Sequence, residues 1–167
     1  AVKPYVKPVF DLINKTYTEI YGFTKLTEDE MTEFAERFLP LLNPKLIKMI
    51  TDENGELLAF IIAMADLSEA IKNSRGRILP FGWARILWAM KTSKRLQLLL
   101  GAIHPKYQNK GLDAVLATML FGSAIKLGFK TVDSHLIMKD NLKMRGEIEK
   151  LDGFNLYKEY CIFRKKL

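Results

Sequence analysis

The stretch Leu98-Leu99-Leu100-Gly101-Ala102-Ile103-His104-Pro105-Lys106-Tyr107-Gln108-Asn109-Lys110-Gly111-Leu112-Asp113-Ala114 decides the fold. It opens on an apolar β-type run, passes through a short polar loop, and enters a long amphipathic segment at Gly111. A strand that runs through a tight loop into a helix gathers unpaired main-chain N–H groups at the positive end of the helix dipole. Such a corner suits an anion, above all a phosphate. Gly111 permits close approach because it has no Cβ. Lys106 and Lys110 add charge without strict geometry. The plainer reading is turn chemistry alone. The strand before the loop and the helix after it are the context that raises the segment above that reading.

Working downstream, Gly111–Leu127 carries Leu112, Val115, Leu116, Met119, Leu120 and Leu127 on one side of a helix that Gly128 ends. Thr131–Met138 reads as a strand. Asp140 is expected to cap a helix over Asn141–Leu151 that closes near Gly153, and Phe154–Lys165 reads as one long strand. Upstream, Leu57–Ala65 is almost wholly apolar, the pattern of a central strand buried on both faces. It pairs with Leu46–Ile50 across Asp52-Glu53-Asn54-Gly55-Glu56, where Asn54-Gly55 can take the positive φ angles of a hairpin turn.

The first part of the chain is helical. Val9, Leu12, Ile13, Tyr17 and Ile20 recur at helical spacing between Val6 and Tyr21, and Gly22 supplies a C-terminal cap. Thr27-x-x-Glu30 has the form of a capping box. It opens a helix with Met31, Phe34, Ala35 and Phe38 on one face, stopping before Pro40. Residues 67–95 form a helical insertion, with Leu67, Ala70 and Ile71 in a short helix broken at Arg75-Gly76-Arg77 and Pro80-Phe81-Gly82. Beyond the break, Trp83, Ile86, Leu87 and Met90 make an apolar stripe beside Lys91, Lys94 and Arg95. The expected arrangement is a helix packed on the domain by its tryptophan face; docking on a membrane surface is the alternative. The order of elements gives a three-layer α/β/α domain with a mixed central sheet, whose two C-terminal strand–helix–strand crossovers are right-handed and parallel.

Composition sets bounds. A chain of 167 residues, 49% hydrophobic and 27% charged, is expected to form a single domain over 1–167. No apolar run is long enough to span a bilayer and no signal peptide opens the chain. Cys161 is the only cysteine, which excludes an intrachain disulfide and points to the reducing cytoplasm. The net charge of +7 fits a nucleic-acid surface, a membrane surface or a small polyanion. Neither a basic-aromatic recognition pattern nor zinc-ligand spacing is present, so neither nucleic acid nor a metal is expected. The absence of an initiator Met, with a helix starting at once, suggests a piece of a longer polypeptide.

The segment around Gln108 resembles the signature of the GNAT superfamily of acyl-CoA-dependent N-acyltransferases, a strand followed by Gln/Arg-x-x-Gly-x-Gly/Ala and a helix. Gln108 and Gly111 match, and Asp113 departs. Downstream, Asp140-Asn141-x-x-Met144 and Ile148-Glu149-Lys150-Leu151-Asp152-Gly153-Phe154 are similar to a second family segment. More narrowly, Gly76–Gly82 and Gly111-Leu112-Asp113-Ala114 resemble a bacterial group of longer proteins with a GNAT-like domain at the C-terminal end. By this resemblance the first strand of the family fold is expected to be missing here. The resemblance implies acetyl-CoA or a longer acyl-CoA as co-substrate. It places the pyrophosphate against Ile103, His104, Gln108, Asn109, Lys110, Gly111, Leu112, Asp113 and Ala114, and the pantetheine or adenosine arm against Asn141. The plainer role of Asp140 and Asn141 is helix capping. Asp113 can hydrogen-bond main-chain N–H groups of the first turn, or weaken phosphate binding by its charge.

The implied activity is transfer of an acyl group to a small-molecule or peptide amine. The residue at the position of the family's thiolate-protonating Tyr is Ile148, so Tyr157 or Tyr160 is a candidate donor, or the thiolate leaves unassisted. Asp133 and His135, two apart on one strand face, are a candidate base and its orienting partner. Asp66 is a further candidate base. His104 is expected to contribute backbone only. A strand N–H beside a bulge near Gly101–His104 would polarise the thioester carbonyl, where the family splays its fourth and fifth strands. The insertion would wall or cover a hydrophobic group. A non-catalytic acyl-CoA sensor and a basic surface-binding domain are the competing classes, and homodimer formation is left open.

Overall fold

The computed structural model describes residues 3–74, 82–134, 136–149, 151–161, 163 and 165. Two compact units emerge, Ala1–His135 and Leu136–Leu167.

The first unit is built on a sheet of order β1-β2-β3-β4. Its strands are β1 (Ile47–Thr51), β2 (Leu57–Ala65), β3 (Arg95–Ile103) and β4 (Thr131–Asp133). β1–β2 and β2–β3 are antiparallel and β3–β4 is parallel, so the sheet is mixed. β2 is central, with Ala59, Phe60 and Ala63 fully buried. Alternation along the strand sends these side chains to opposite faces. Phe60 and Ala102 meet Val9, Leu12 and Ile13 of α1 (Val6–Thr16) on one face. Ala63 and Leu96 meet Leu120 and Ala124 of α5 (Leu112–Lys126) on the other. These are the three layers expected from the sequence.

The β1–β2 turn is made by Asp52. Its Oδ1 accepts from Asn54 N (2.9 Å) and Glu56 N (2.7 Å), and Gly55 alone takes a positive φ, 83°. The expectation of paired left-handed residues at Asn54-Gly55 fails because the Asx turn allows an ordinary φ at Asn54. The ladder slips by one residue at Ile50/Thr51 in compensation. The capping box at Thr27 is present in full, with Glu30 N and Thr27 N satisfied reciprocally, and it opens α2 (Glu28–Phe38). α1 is shorter than the expected Val6–Tyr21. Thr16 Oγ1 turns back to Leu12 O (2.7 Å), and the residues leading to Gly22 form turns.

The insertion holds α3 (Ser68–Asn73) and α4 (Gly82–Thr92). The breaks expected at Arg75-Gly76-Arg77 and Pro80-Phe81 lie outside the described residues. The expected stripe packs on the domain only in part, through Ile86 and Met90. Trp83, Leu87 and Trp88 are exposed, while Gly82, Ile86, Ala89 and Met90 turn inward. A helical stripe shows where apolar residues gather, and here the smaller ones make the better fit against the sheet.

In the second unit, α6 (Leu142–Glu149) is capped by Asn141 Oδ1, which accepts from Met144 N (3.1 Å), and not by Asp140. The strand expected over Phe154–Lys165 is absent from the described residues 154–161, and the strand expected over Thr131–Met138 ends at Asp133. β-type composition yields a strand only where a neighbour supplies the ladder. Among the described residues no helix is long and apolar enough to cross a membrane, and no three His, Cys, Asp or Glu cluster to hold a metal.

Candidate functional site

The open side of β3 starts where β4 stops. β3 pairs with β4 only over Arg95–Gln97 against Thr131–Asp133. From Leu98 to Ile103 the edge away from β2 has no strand beside it among the described residues. The ladder to β2 slips between Ile62 and Ala63, which leaves Leu99 as the extra residue. The bulge therefore lies just before the Gly101–His104 segment where it was expected. His104 N donates to Leu58 O at 2.8 Å. By the antiparallel alternation, the main-chain groups of Gly101 and Ile103 then face the open side.

Side chains meet both of them. Tyr17 Oη donates to Gly101 O at 2.9 Å and lies 3.4 Å from Gly101 N, which donates back to it. Gln108 Nε2 donates to Ile103 O at 3.3 Å. Tyr17 is half-buried, and burial pushes its hydroxyl above the ordinary phenol value, with the Gly101 bond pulling partly the other way. Sequence reading placed Tyr17 in the core of the first helix. Its contact spans 84 residues of chain, and no local pattern signals such a bond.

The loop beyond β3 is a succession of tight turns. Pro105–Tyr107 is a 3₁₀ turn opened by His104, whose Nδ1 accepts from Lys106 N at 3.3 Å. The His104 ring is buried, and its Nε2 lies 2.7 Å from Lys15 Nζ. The side chain thus ties the last turn of α1 to the start of the loop, where only a backbone role was expected. Asn109 (φ 59°) and Gly111 (φ 79°) both take left-handed conformations. Glycine suits the second, because a side chain there is strained whatever the space. Lys110 Nζ sits 4.9 Å above the Tyr107 ring.

α5 then begins with no side-chain cap at Gly111. The N–H groups of Gly111, Leu112, Asp113 and Ala114 have no acceptor among the described residues. They point out of the helix end with the positive pole of its dipole behind them. Asp113 is half-buried in this first turn and does not take up those N–H groups, contrary to one expectation.

The remaining candidates are spread more widely. Asp133 ends β4 in register with Gln97, about 20 Å along β3 from Ile103 at 3.3 Å per residue. His135, its expected partner, lies outside the described residues. Asp66 is committed to structure. Its Oδ1 accepts from Ser68 N (2.9 Å) and its Oδ2 lies 3.6 Å from Arg95, at the far end of β3 from the loop. There it lines a cleft of about 760 Å³ together with Glu69, Arg85 and Trp88. Asn141, Ile148, Tyr157 and Tyr160 belong to the second unit. Within it Asn141 caps α6, Ile148 is half-buried, and Tyr157 and Tyr160 are exposed, with Lys158 Nζ 5.3 Å over the Tyr157 ring.

No protein-family model matches the chain. It is 25% identical over 168 residues to the bacterial ceramide synthase of Caulobacter vibrioides, covering 97% of this chain and 43% of that protein. It is 26% identical over 164 residues to protein YghO of Escherichia coli, covering 94% and 41%. The chain thus spans about two fifths of the length of these curated relatives. Among solved structures it superposes on AAC(6')-Iy, held in complex with a CoA-linked bisubstrate analog. The TM-score is 0.60 at 13% identity, covering 99% of this chain and 94% of that one. Several other acetyltransferase structures match as well. The mixed sheet, the open edge of β3 and the loop leading into α5 are arranged as in these acetyltransferases, and the chain has the fold of the GNAT acyl-CoA N-acyltransferases.

Proposed function

We propose that the chain is the acyl-CoA-handling domain of an N-acyltransferase that joins a long acyl group to a lipid-like amine. The observation that carries this reading is the conjunction of an open β3 edge with a free helix N-terminus at its end. A pantetheine arm needs the first, where its amides would take the place of Tyr17 on Gly101 and of Gln108 on Ile103. A pyrophosphate needs the second, and the N–H groups from Gly111 to Ala114 answer it. Gln108, Asn109, Lys110 and His104 shape the approach. Asn141 and the rest of the second unit are taken as part of the same domain. The ceramide synthase among the relatives supports the choice of substrates, since a ceramide is a fatty amide of a long-chain amino alcohol.

In the reaction the neutral amine attacks the thioester carbonyl, the N–C bond forms and the C–S bond breaks. The proton lost by the amine passes through water to a base, for which Asp133, opposite Gln97 on β3, is our candidate, and CoA leaves as the thiol after taking up a proton. Much of the acceleration rests on holding the two reactants in line. Tyr17 stands at the open edge with a hydroxyl that burial keeps protonated. Once displaced from Gly101 O by the pantetheine, its O–H can donate to the developing oxyanion, the task assigned from sequence to a strand N–H alone. Tyr157 and Tyr160 are the candidates for returning a proton to sulfur.

A second reading, an acyl-CoA sensor without turnover, is favoured by Ile148 at the position of the family's acid. Calorimetry with free CoA, acetyl-CoA and a long-chain acyl-CoA tests the shared premise. Binding by the chain and its loss in Gly111→Val are expected; no heat with any of the three would sink both readings. Thiol release on adding long-chain amines then separates enzyme from sensor.

A further inference from the structure

We propose that the outward face of α4 is a docking surface for an anionic lipid bilayer. The helix reads Gly82-Trp83-Ala84-Arg85-Ile86-Leu87-Trp88-Ala89-Met90-Lys91-Thr92. At 3.6 residues per turn, Trp83, Leu87, Lys91, Ala84 and Trp88 follow one another across a single side. The structure leaves Trp83 52%, Leu87 48% and Trp88 70% exposed, and Ile71 on α3 a further 50%. A water-soluble helix ordinarily buries its aromatics and shows its charges. Here the largest apolar side chains point outward, while Ile86, Ala89 and Met90 serve the interior.

The distribution of charge selects the occupant. α4 contains Arg85 and Lys91 and no acidic residue, and Lys94 follows it. Lys91 lies at an angle between Trp83 and Trp88, about one turn beyond Trp88 along the helix. Tryptophan settles at the headgroup level of a bilayer, and a lysine stem lies along the apolar surface while its ammonium meets lipid phosphate. Two acids, Asp66 and Glu69, share a cleft with Arg85 and Trp88 at one border of this face, where Arg85, Lys94 and Arg95 outnumber them. Asp66 faces Arg95, and Glu69 lines the cleft beside α3. A second copy of the chain would bring the same positive face and repel it, in a protein of net charge +7. The helix is too short to span a bilayer and would lie in the plane of the interface. This proposal stands on α4 and its surroundings and does not need the acyl-transfer reading, although a lipid amine would be reached from such a surface.

Trp83 and Trp88 are the only tryptophans in the chain, so its indole emission reports on this face alone. The chain is titrated with phosphatidylglycerol vesicles and with phosphatidylcholine vesicles, following emission and co-sedimentation. A blue shift and pelleting with the anionic vesicles, lost at high salt, are expected. Lys91→Gln should weaken the association about fivefold, the contribution of one basic residue near an anionic surface. Trp83→Ser/Trp88→Ser should abolish pelleting while the circular dichroism and CoA binding persist. Absence of any shift or pelleting overturns the proposal. So does equal pelleting of the double variant, which would place the lipid contact elsewhere. A blue shift that grows with protein concentration without lipid would overturn it in favour of self-association.

Discussion

Tyr17 shows how much one side chain can carry. Its ring packs on the α1 face of the core and against Phe23, with ring centroids 5.8 Å apart, while its hydroxyl caps Gly101. Tyr17→Phe keeps the ring and removes the donor. If the hydroxyl faces the oxyanion, turnover should fall on the order of 10²-fold with little change in KM for acyl-CoA. A matching loss of thermal stability without a change in turnover would assign it to structure alone. The raised pKa has a sign of its own. A phenol whose folded value lies above its unfolded one, near 10, contributes stability that is complete below that pH. It is lost as pH rises through the folded value. Alkaline unfolding followed above pH 10 should therefore begin later in Tyr17→Phe than in the parent chain, provided the two are compared relative to their stability at pH 8. Sequence reading reached Tyr17 only as a core residue, because both partners of the bond are ordinary in their own neighbourhoods.

At the scale of single elements, local chemistry was legible and long-range pairing was not. Thr27 and Glu30 sit three residues apart and satisfy each other, so the start of α2 could be read directly. Thr27→Ala leaves those N–H groups to water and should cost about 1 kcal/mol in denaturant unfolding. β2 likewise runs from Leu57 to Ala65 as its apolar pattern required. The tail from Phe154 has the residues of a strand, and its described part forms none, because a ladder depends on a neighbour that composition does not reveal. α4 fails in another way. Periodicity fixes the angular position of each side chain but not which side meets the protein. Trp83 and Trp88 are therefore outside, and their smaller neighbours inside.

For the whole molecule, the first unit depends on a sheet covered on both faces, with Phe60 at the centre of one and Leu120 at the centre of the other. Phe60→Ala should cost about 3–5 kcal/mol, a large part of the stability of a domain this size. The order of layers was legible because the apolar runs and helices alternate as an α/β domain requires. The candidate site was legible in part. The loop from Gln108 to Gly111 follows from residue types, whereas the opening beside it follows from how early β4 ends. That opening has a further consequence. A strand edge with main-chain amides turned outward is a template on which another molecule can add a strand. Crowded copies could grow by annealing at Leu98–Ile103, with the Tyr17 hydroxyl as the stopper midway along. A co-substrate seated along the same edge would occupy those groups first, so the ligand of this domain would also guard it against aggregation.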